Sequence, residues 1–140
     1  MKQFITLLFF MTFCTAISVA QSQKTFIKSL PLDGNQNVTL AAAGNVQVSE
    51  WDKDYIRITT TVEVLNFNED ILKRLVAVGR YSLESTTKDG ALIVTMPKIA
   101  TQVTIKGSLL KEVFKYEIQV PKNVTVDTQA EDATTTAEVN

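Results

Sequence analysis

The chain has 140 residues, room for one domain with at most a tail. Its 14 basic and 15 acidic residues leave a formal charge of -1, without the basic excess that a phosphate-neutralising nucleic-acid binder needs. There is no His and a single Cys, which excludes Ser-His-Asp triads, Cys-His dyads and His- or Cys-rich zinc sites.

Residues 1–20 read as an export signal. Lys2 supplies a positive start, Phe4 to Ala20 carries no charge, and the run ends in Ser18-Val19-Ala20, small at the two positions a signal peptidase inspects. Cleavage is expected after Ala20. Thr12, Thr15 and Ser18 interrupt the apolar run, which argues against a permanent membrane span. Cys14 follows Phe13, not the small residue of a lipoprotein box, so it is expected to leave with the signal. The remaining 21–140 chain would then have no Cys, and core packing alone would have to hold it. The expected location is periplasmic or secreted.

Beyond the signal, apolar residues recur with period two, the mark of half-buried strands. Phe26 and Leu30 mark a first strand, Val38, Leu40 and Ala42 a second, Val46 and Val48 a third. The fourth is the clearest: Ile56, Ile58, Thr60, Val62 and Val64 alternate with Arg57, Thr59, Thr61 and Glu63. From Asn66 to Gly79 the period becomes helical. Ile71, Leu72, Leu75 and Val76 share one face, Asn66 or Asn68 caps the start, and Gly79 stops it, predicting a short amphipathic helix at about 68–78. Such a helix is too short to persist alone, so its apolar face must dock on a sheet. Tyr81 and Leu83 suggest a fifth strand, Leu92, Val94 and Met96 a sixth, Val103 and Ile105 a seventh. Phe114, Tyr116, Ile118 and Val120 form an eighth, and Val124 and Val126 close the series. Asp33-Gly34-Asn35, Gly44-Asn45, Asp89-Gly90 and Gly107-Ser108 supply turns. Residues 127–140, rich in Thr, Ala and acids, read as a flexible tail that cannot bury enough to order itself, with an edge strand as the alternative. The domain is therefore 21–126. Its class is mainly β: a short β-solenoid or β-sandwich-like body of about nine strands and one helix.

Two stretches carry a resemblance. Asn45-Val46-Gln47-Val48-Ser49-Glu50-Trp51-Asp52, running into the Ile56-Arg57-Ile58 strand, resembles the opening of the DUF4097-type, adhesin-like β-repeat proteins. Tyr116-Glu117-Ile118-Gln119-Val120-Pro121 is similar to their later "Tyr-x-Ile-x-Val-Pro" strand. The resemblance covers roughly Lys24 to Val126 and implies exported bacterial proteins with a solenoid or sandwich-like body. It implies no catalytic residues. Family members usually continue into Gly- and Ser-rich rungs after this strand, whereas this sequence has only 5 Gly.

Glu50, Asp52 and Asp54 alternate around a turn and are weak candidates for a calcium site, although Lys53 sits among them. A solvated turn is the plainer reading. Trp51 is a possible contact residue, or folds over the sheet end. Tyr55, Tyr81 and Tyr116 could line a groove but share their runs with core positions. Glu63, Glu84 and Glu117 are the strand carboxylates available to a hydrolase; each sits on the polar phase of its run, where nothing would raise its pKa. Lys106, Lys111 and Lys115 form a small basic cluster that reads as a solvated face. No catalytic residue and no cofactor is implied. The expectation is a noncatalytic exported cell-envelope domain acting by surface interaction with an envelope protein or polysaccharide. A carrier of an apolar ligand or lipid, with the helix covering a groove on the sheet, is the alternative; a carboxylate hydrolase is the third reading.

Overall fold

The computed structural model describes residues 22–129. The expected signal and its cleavage site lie outside them, as does the chain from residue 130. Ten strands and one α-helix follow in order: β1 (Ser22–Pro31), β2 (Asn37–Ala41), β3 (Asn45–Trp51), β4 (Tyr55–Val64), α1 (Glu69–Ala77), β5 (Glu84–Lys88), β6 (Ala91–Thr95), β7 (Thr104–Ile105), β8 (Ser108–Leu109), β9 (Glu112–Pro121) and β10 (Thr125–Thr128). The first sheet has the order β1-β4-β9-β3, the second β10-β2-β6-β5, and β7 and β8 form a small hairpin. The molecule is mainly β, as expected, and no sheet among the described residues closes into a barrel.

The period-two pattern explains the layering. In β4, Ile56, Ile58, Thr60, Val62 and Val64 are buried while every alternate residue is half-buried. Tyr116, Ile118 and Val120 of β9 point the same way, and Val38, Leu40, Leu92 and Val94 oppose them from the second sheet. Both sheets thus enclose one hydrocarbon core. Fully burying each of these aliphatic side chains contributes about 1.5–3 kcal/mol.

Two crossings place the edges. β2 passes to β3 through residues 42–44, and β9 passes to β10 through 122–124. β3 pairs parallel with β9, and β10 pairs parallel with β2, which itself pairs parallel with β6. Crossings of this kind give the sandwich a solenoid-like winding at one end. Gly44 makes the first crossing possible. A Cβ there would lie 2.8 Å from the Phe114 carbonyl oxygen and 2.8 Å from the Tyr116 ring, and its φ is +154°.

The opposite end is closed. The helix buries Leu72 and Leu75 in the core beside β1. Its cap is Asn68, whose Oδ1 accepts from the Ile71 amide at 3.2 Å. Asn66, the other expected cap, instead donates to the Leu109 carbonyl and accepts from the Lys111 amide.

Three expectations need correction. Tyr81 and Leu83 are buried but lie in irregular chain; the strand begins at Glu84, and all five of its residues are exposed. Their alternation reflects two side chains dropping into the core from a turn, a pattern that mimics a strand. A strand at Ser108–Leu109 was not expected; it forms because Lys106 (φ 49°) and Gly107 (φ 82°) make a two-residue hairpin turn. The domain boundary after Val126 falls inside β10, because Val126 and Thr128 stand beside Val38 and Leu40 and the Gln129 amide still bonds the Leu40 carbonyl.

Candidate functional site: the outer face of the first sheet

The outward residues of β1, β4, β9 and β3 form registered rows. One reads Ser29, Arg57, Gln119, Ser49; the next Ile27, Thr59, Glu117, Gln47; the third Thr25, Thr61, Lys115, Asn45. This face is floored mostly by amides and hydroxyls. Over it lies an open hollow of about 670 Å³ lined by Gln47, Ser49, Thr59, Glu117 and Gln119. A second hollow of about 380 Å³ adjoins it through Gln47 and continues toward Asn45, Thr61 and Glu63. Together they make one trough running along the strands, polar over Gln47, Ser49, Thr59 and Gln119 and partly apolar where Val113 and Phe114 line the second hollow.

Trp51 stands two residues beyond Ser49 on β3, beside Pro121. Its Nε1 donates to the Tyr55 carbonyl at 2.9 Å, and its ring meets Tyr55 edge-on at 4.9 Å. The Arg57 guanidinium carbon lies 4.9 Å from its ring centroid, a cation–π contact. The indole is half-buried and its hydrogen bond to the Tyr55 carbonyl staples the 52–54 turn. Arg57 Nε and Glu63 Oε1 are buried without a partner in the protein. Lys115 and Glu117 are bridged at 3.0 Å but half-exposed, so the pair is worth under about 1 kcal/mol and can rearrange around a ligand.

The remaining sequence candidates are dispersed. Glu50, Asp52 and Asp54 are all exposed, and among the described residues no group of three acidic, His or Cys side chains is placed to hold a cation. Lys106 sits in the hairpin turn and Lys115 on the trough, so the basic cluster is not a cluster in space. Glu63 and Glu117 share the outer face, but Glu117 lies beside Thr59, four residues from Glu63. At about 3.3 Å per residue that is about 13 Å along the strand, beyond the roughly 5–10 Å of a glycosidase pair. Glu84 is in the other sheet. Tyr116 and Tyr81 are core residues, and burial raises both phenols well above the ordinary tyrosine range. Beside the helix, the hollow near Leu72 and Val76 is about 100 Å³, well below the 300–1,000 Å³ of a ligand pocket, and Leu72 and Leu75 are packed into the core. The groove that a lipid carrier requires is filled there.

One buried ionic group escaped the sequence reading. Arg80 Nε and Nη2 donate to Glu112 Oε1 and Oε2 at 2.9 and 2.8 Å, and Nη1 donates to the Lys98 and Thr101 carbonyls at 2.8 and 3.0 Å. Tyr81 Oη donates to Glu112 Oε1 at 2.6 Å. The hydrogen bonds that Arg80 donates to Glu112 raise its pKa against the opposing effect of burial. Each guanidinium nitrogen has a protein partner, so the cluster ties the helix exit to β9 and offers nothing to a ligand. A signal existed: Glu112 shares the period-two phase of Phe114, Tyr116, Ile118 and Val120. The trough residues had none, because Gln, Ser and Thr on a polar phase look like any solvated strand.

No family model matches the chain, and no curated protein matches it. A solved structure described as a "putative cell adhesion protein" from Clostridium sporogenes is similar in fold outline, with 11% identity and a TM-score of 0.41. The match covers 76% of this chain and 45% of that one, so this chain spans under half of its neighbour's length. No helix among the described residues is long and apolar enough to cross a membrane.

Proposed function

We propose that this protein is a noncatalytic, exported cell-envelope domain of the DUF4097-like kind that works by surface contact through the outer face of its first sheet. The observation that carries the reading is the trough floored by Gln47, Ser49, Thr59 and Gln119, with the Trp51–Arg57 pair on the same sheet. Neutral amides and hydroxyls at strand spacing suit a partner rich in hydrogen-bonding groups, an envelope polysaccharide or a polar protein segment. The separation of Glu63 from Glu117 favours binding over hydrolysis.

The test is retention of the immobilised full chain on purified envelope polysaccharide and, separately, on solubilised envelope protein. Ser49→Arg and Gln47→Arg fill the trough from exposed positions without touching the core. One fraction is expected to bind, with at least a tenfold loss in either variant. Binding unaffected by both variants overturns the assignment of the face, and polysaccharide turnover abolished by Glu117→Gln or Glu63→Gln overturns the noncatalytic reading.

A further inference from the structure

Among the described residues the two sheets present four edge strands, and three of them are protected against further pairing. On β1, Lys24 and Lys28 stand in the inward phase beside Val62 and Ile58, and Lys28 Nζ donates to the Leu83 carbonyl. β5 has five residues, with Glu84 and Lys88 at its ends, and β10 has four, with Asp127 among them. Inward lysines, charges and short length are devices that keep an edge from pairing. β3 has none of them over Asn45–Ser49, which carries no charge and no Pro. Its pairing with β9 runs unbroken over seven residues, so no bulge turns the edge away. Val46 and Val48 stand in the inward phase beside Tyr116 and Ile118, and Val48 is 48% exposed.

We propose that β3 pairs antiparallel with β3 of a second copy of this chain, about a two-fold axis that passes beside Gln47. A two-fold interface must be self-complementary, each residue i meeting j and each j meeting i. With the axis at Gln47, Val46 meets the partner's Val48 and Val48 meets the partner's Val46, so both inward valines gain an apolar neighbour. On the outer face Gln47 meets the partner's Gln47, while Asn45 and Ser49 meet the partner's Ser49 and Asn45; all are neutral and can exchange hydrogen bonds. Glu50 fixes this register. It is the strand's one charge, and it shares the inward phase, beside Val120. An axis at Val48 or Ser49 would press its carboxylate against the partner's Val46 or Val48, and an axis at Glu50 would oppose two carboxylates. The axis at Gln47 sets it beside the partner's Gly44, past the end of the ladder, where no side chain blocks its way to water.

The product is one continuous sheet across two chains. A two-fold axis normal to a sheet leaves its faces unexchanged, so both outer faces lie on one side, with Gln47 of each copy at the centre. A ladder over Asn45–Ser49 of each chain is a small interface, in the class of weak and transient contacts below about 1,200 Å². Dimer and monomer therefore exchange with concentration. This inference stands on the edges of the sheets and goes beyond the contact function proposed above, which neither needs it nor falls with it.

Gln47→Cys tests the axis in the full chain, with Cys14→Ser leaving a single thiol. Directly opposed residues of an antiparallel pair have Cα atoms about 4.5–5.5 Å apart, within the range of a disulfide. Mild oxidation of a concentrated sample is expected to join two chains through position 47, read by peptide mass spectrometry. Ser49→Cys in the same background lies four residues from its own symmetry mate, about 13 Å along the strands, and should give at least tenfold less product. Equal yields would mean random collision, and no product at 47 would mean that the two edges do not meet there; either overturns the proposal. Sedimentation equilibrium gives a reading without cysteines. The weight-average mass of the full chain is expected to rise toward twice the monomer value with concentration, and Val48→Lys, at an exposed position, should weaken that association at least tenfold. A mass that stays at one chain, or a rise that Val48→Lys leaves unchanged, overturns the proposal.

Discussion

Glu112→Gln is the sharpest probe of how the helix exit is tied to β9. The Arg80 and Glu112 side chains are 7% and 9% exposed, so water screens neither. The substitution removes the counter-charge and turns one acceptor into an amide that faces the Arg80 donors. Two of the guanidinium's contacts survive, to the Lys98 and Thr101 carbonyls, but these carry only partial charge. Breaking a buried pair from one side costs about 3–5 kcal/mol, a large share of the 5–15 kcal/mol that holds an ordinary domain together. Urea unfolding should therefore show a much lower midpoint at unchanged slope. The paired change Arg80→Met with Glu112→Leu removes both charges and should recover most of the loss, since apolar residues of similar volume often replace a buried pair at no cost. A single-variant loss below about 1 kcal/mol, or a double variant as unstable as the single, would refute the claim that the cluster is a desolvated clamp.

Other expectations follow from the same packing. Gly44→Ala should cost about 1–3 kcal/mol in urea unfolding, because its Cβ would overlap the Phe114 carbonyl and the Tyr116 ring at a close backbone crossing. Asn68→Ala should cost about 1 kcal/mol through the lost cap, and Asn68→Asp should restore it. Tyr81 and Tyr116 have folded pKa values raised above the unfolded value of about 10, so the unfolded chain gives up their protons first. Their contribution is fully present below about pH 10 and is lost as pH rises from there toward the folded values, at up to about 1.4 kcal/mol per pH unit for each; chemical denaturation between pH 9 and 11 should show the fall, and Tyr116→Phe should halve its slope.

What the sequence made legible was set by what the residues bury. β4 and β9 were readable because one face meets hydrocarbon and the other meets water, which writes a period of two into the chain. The helix was readable for the same reason at a different period. The segment at Tyr81 and Leu83 deceived because alternation records only which side chains are buried, and a turn can bury two of them as a strand does. β5, with all five residues exposed, had no alternation to show. Pairing lies further out of reach. Nothing in Asn45–Trp51 says that its partner is β9 or that the pair is parallel; that follows from where Gly44 lets the chain cross. The trough inherits this illegibility, since its floor exists only once β3, β9 and β4 are set side by side.

The asymmetry of the edges also bears on function. A sheet whose outer face is used for contact needs that face to be flat, continuous and protected from pairing with other proteins. Lys24 and Lys28 guard β1, and the helix packs beside that strand. The trough, however, lies toward β3, over Gln47 and Ser49, at the edge whose inward valines are least covered. The proposed contact face and the unguarded edge thus share one strand. Any chain that pairs with β3 extends the floor of the trough by one strand's width, about 4.8 Å. Partner affinity and the β3 edge should accordingly be coupled: Val48→Lys, which places a charge on that edge as Lys24 and Lys28 do on β1, should weaken a partner that spans the whole face and leave unaffected one that rests only on β4 and β9. Measuring that partner's affinity on the unchanged and Val48→Lys chains separates the two, and an unchanged affinity of the spanning partner would refute the coupling.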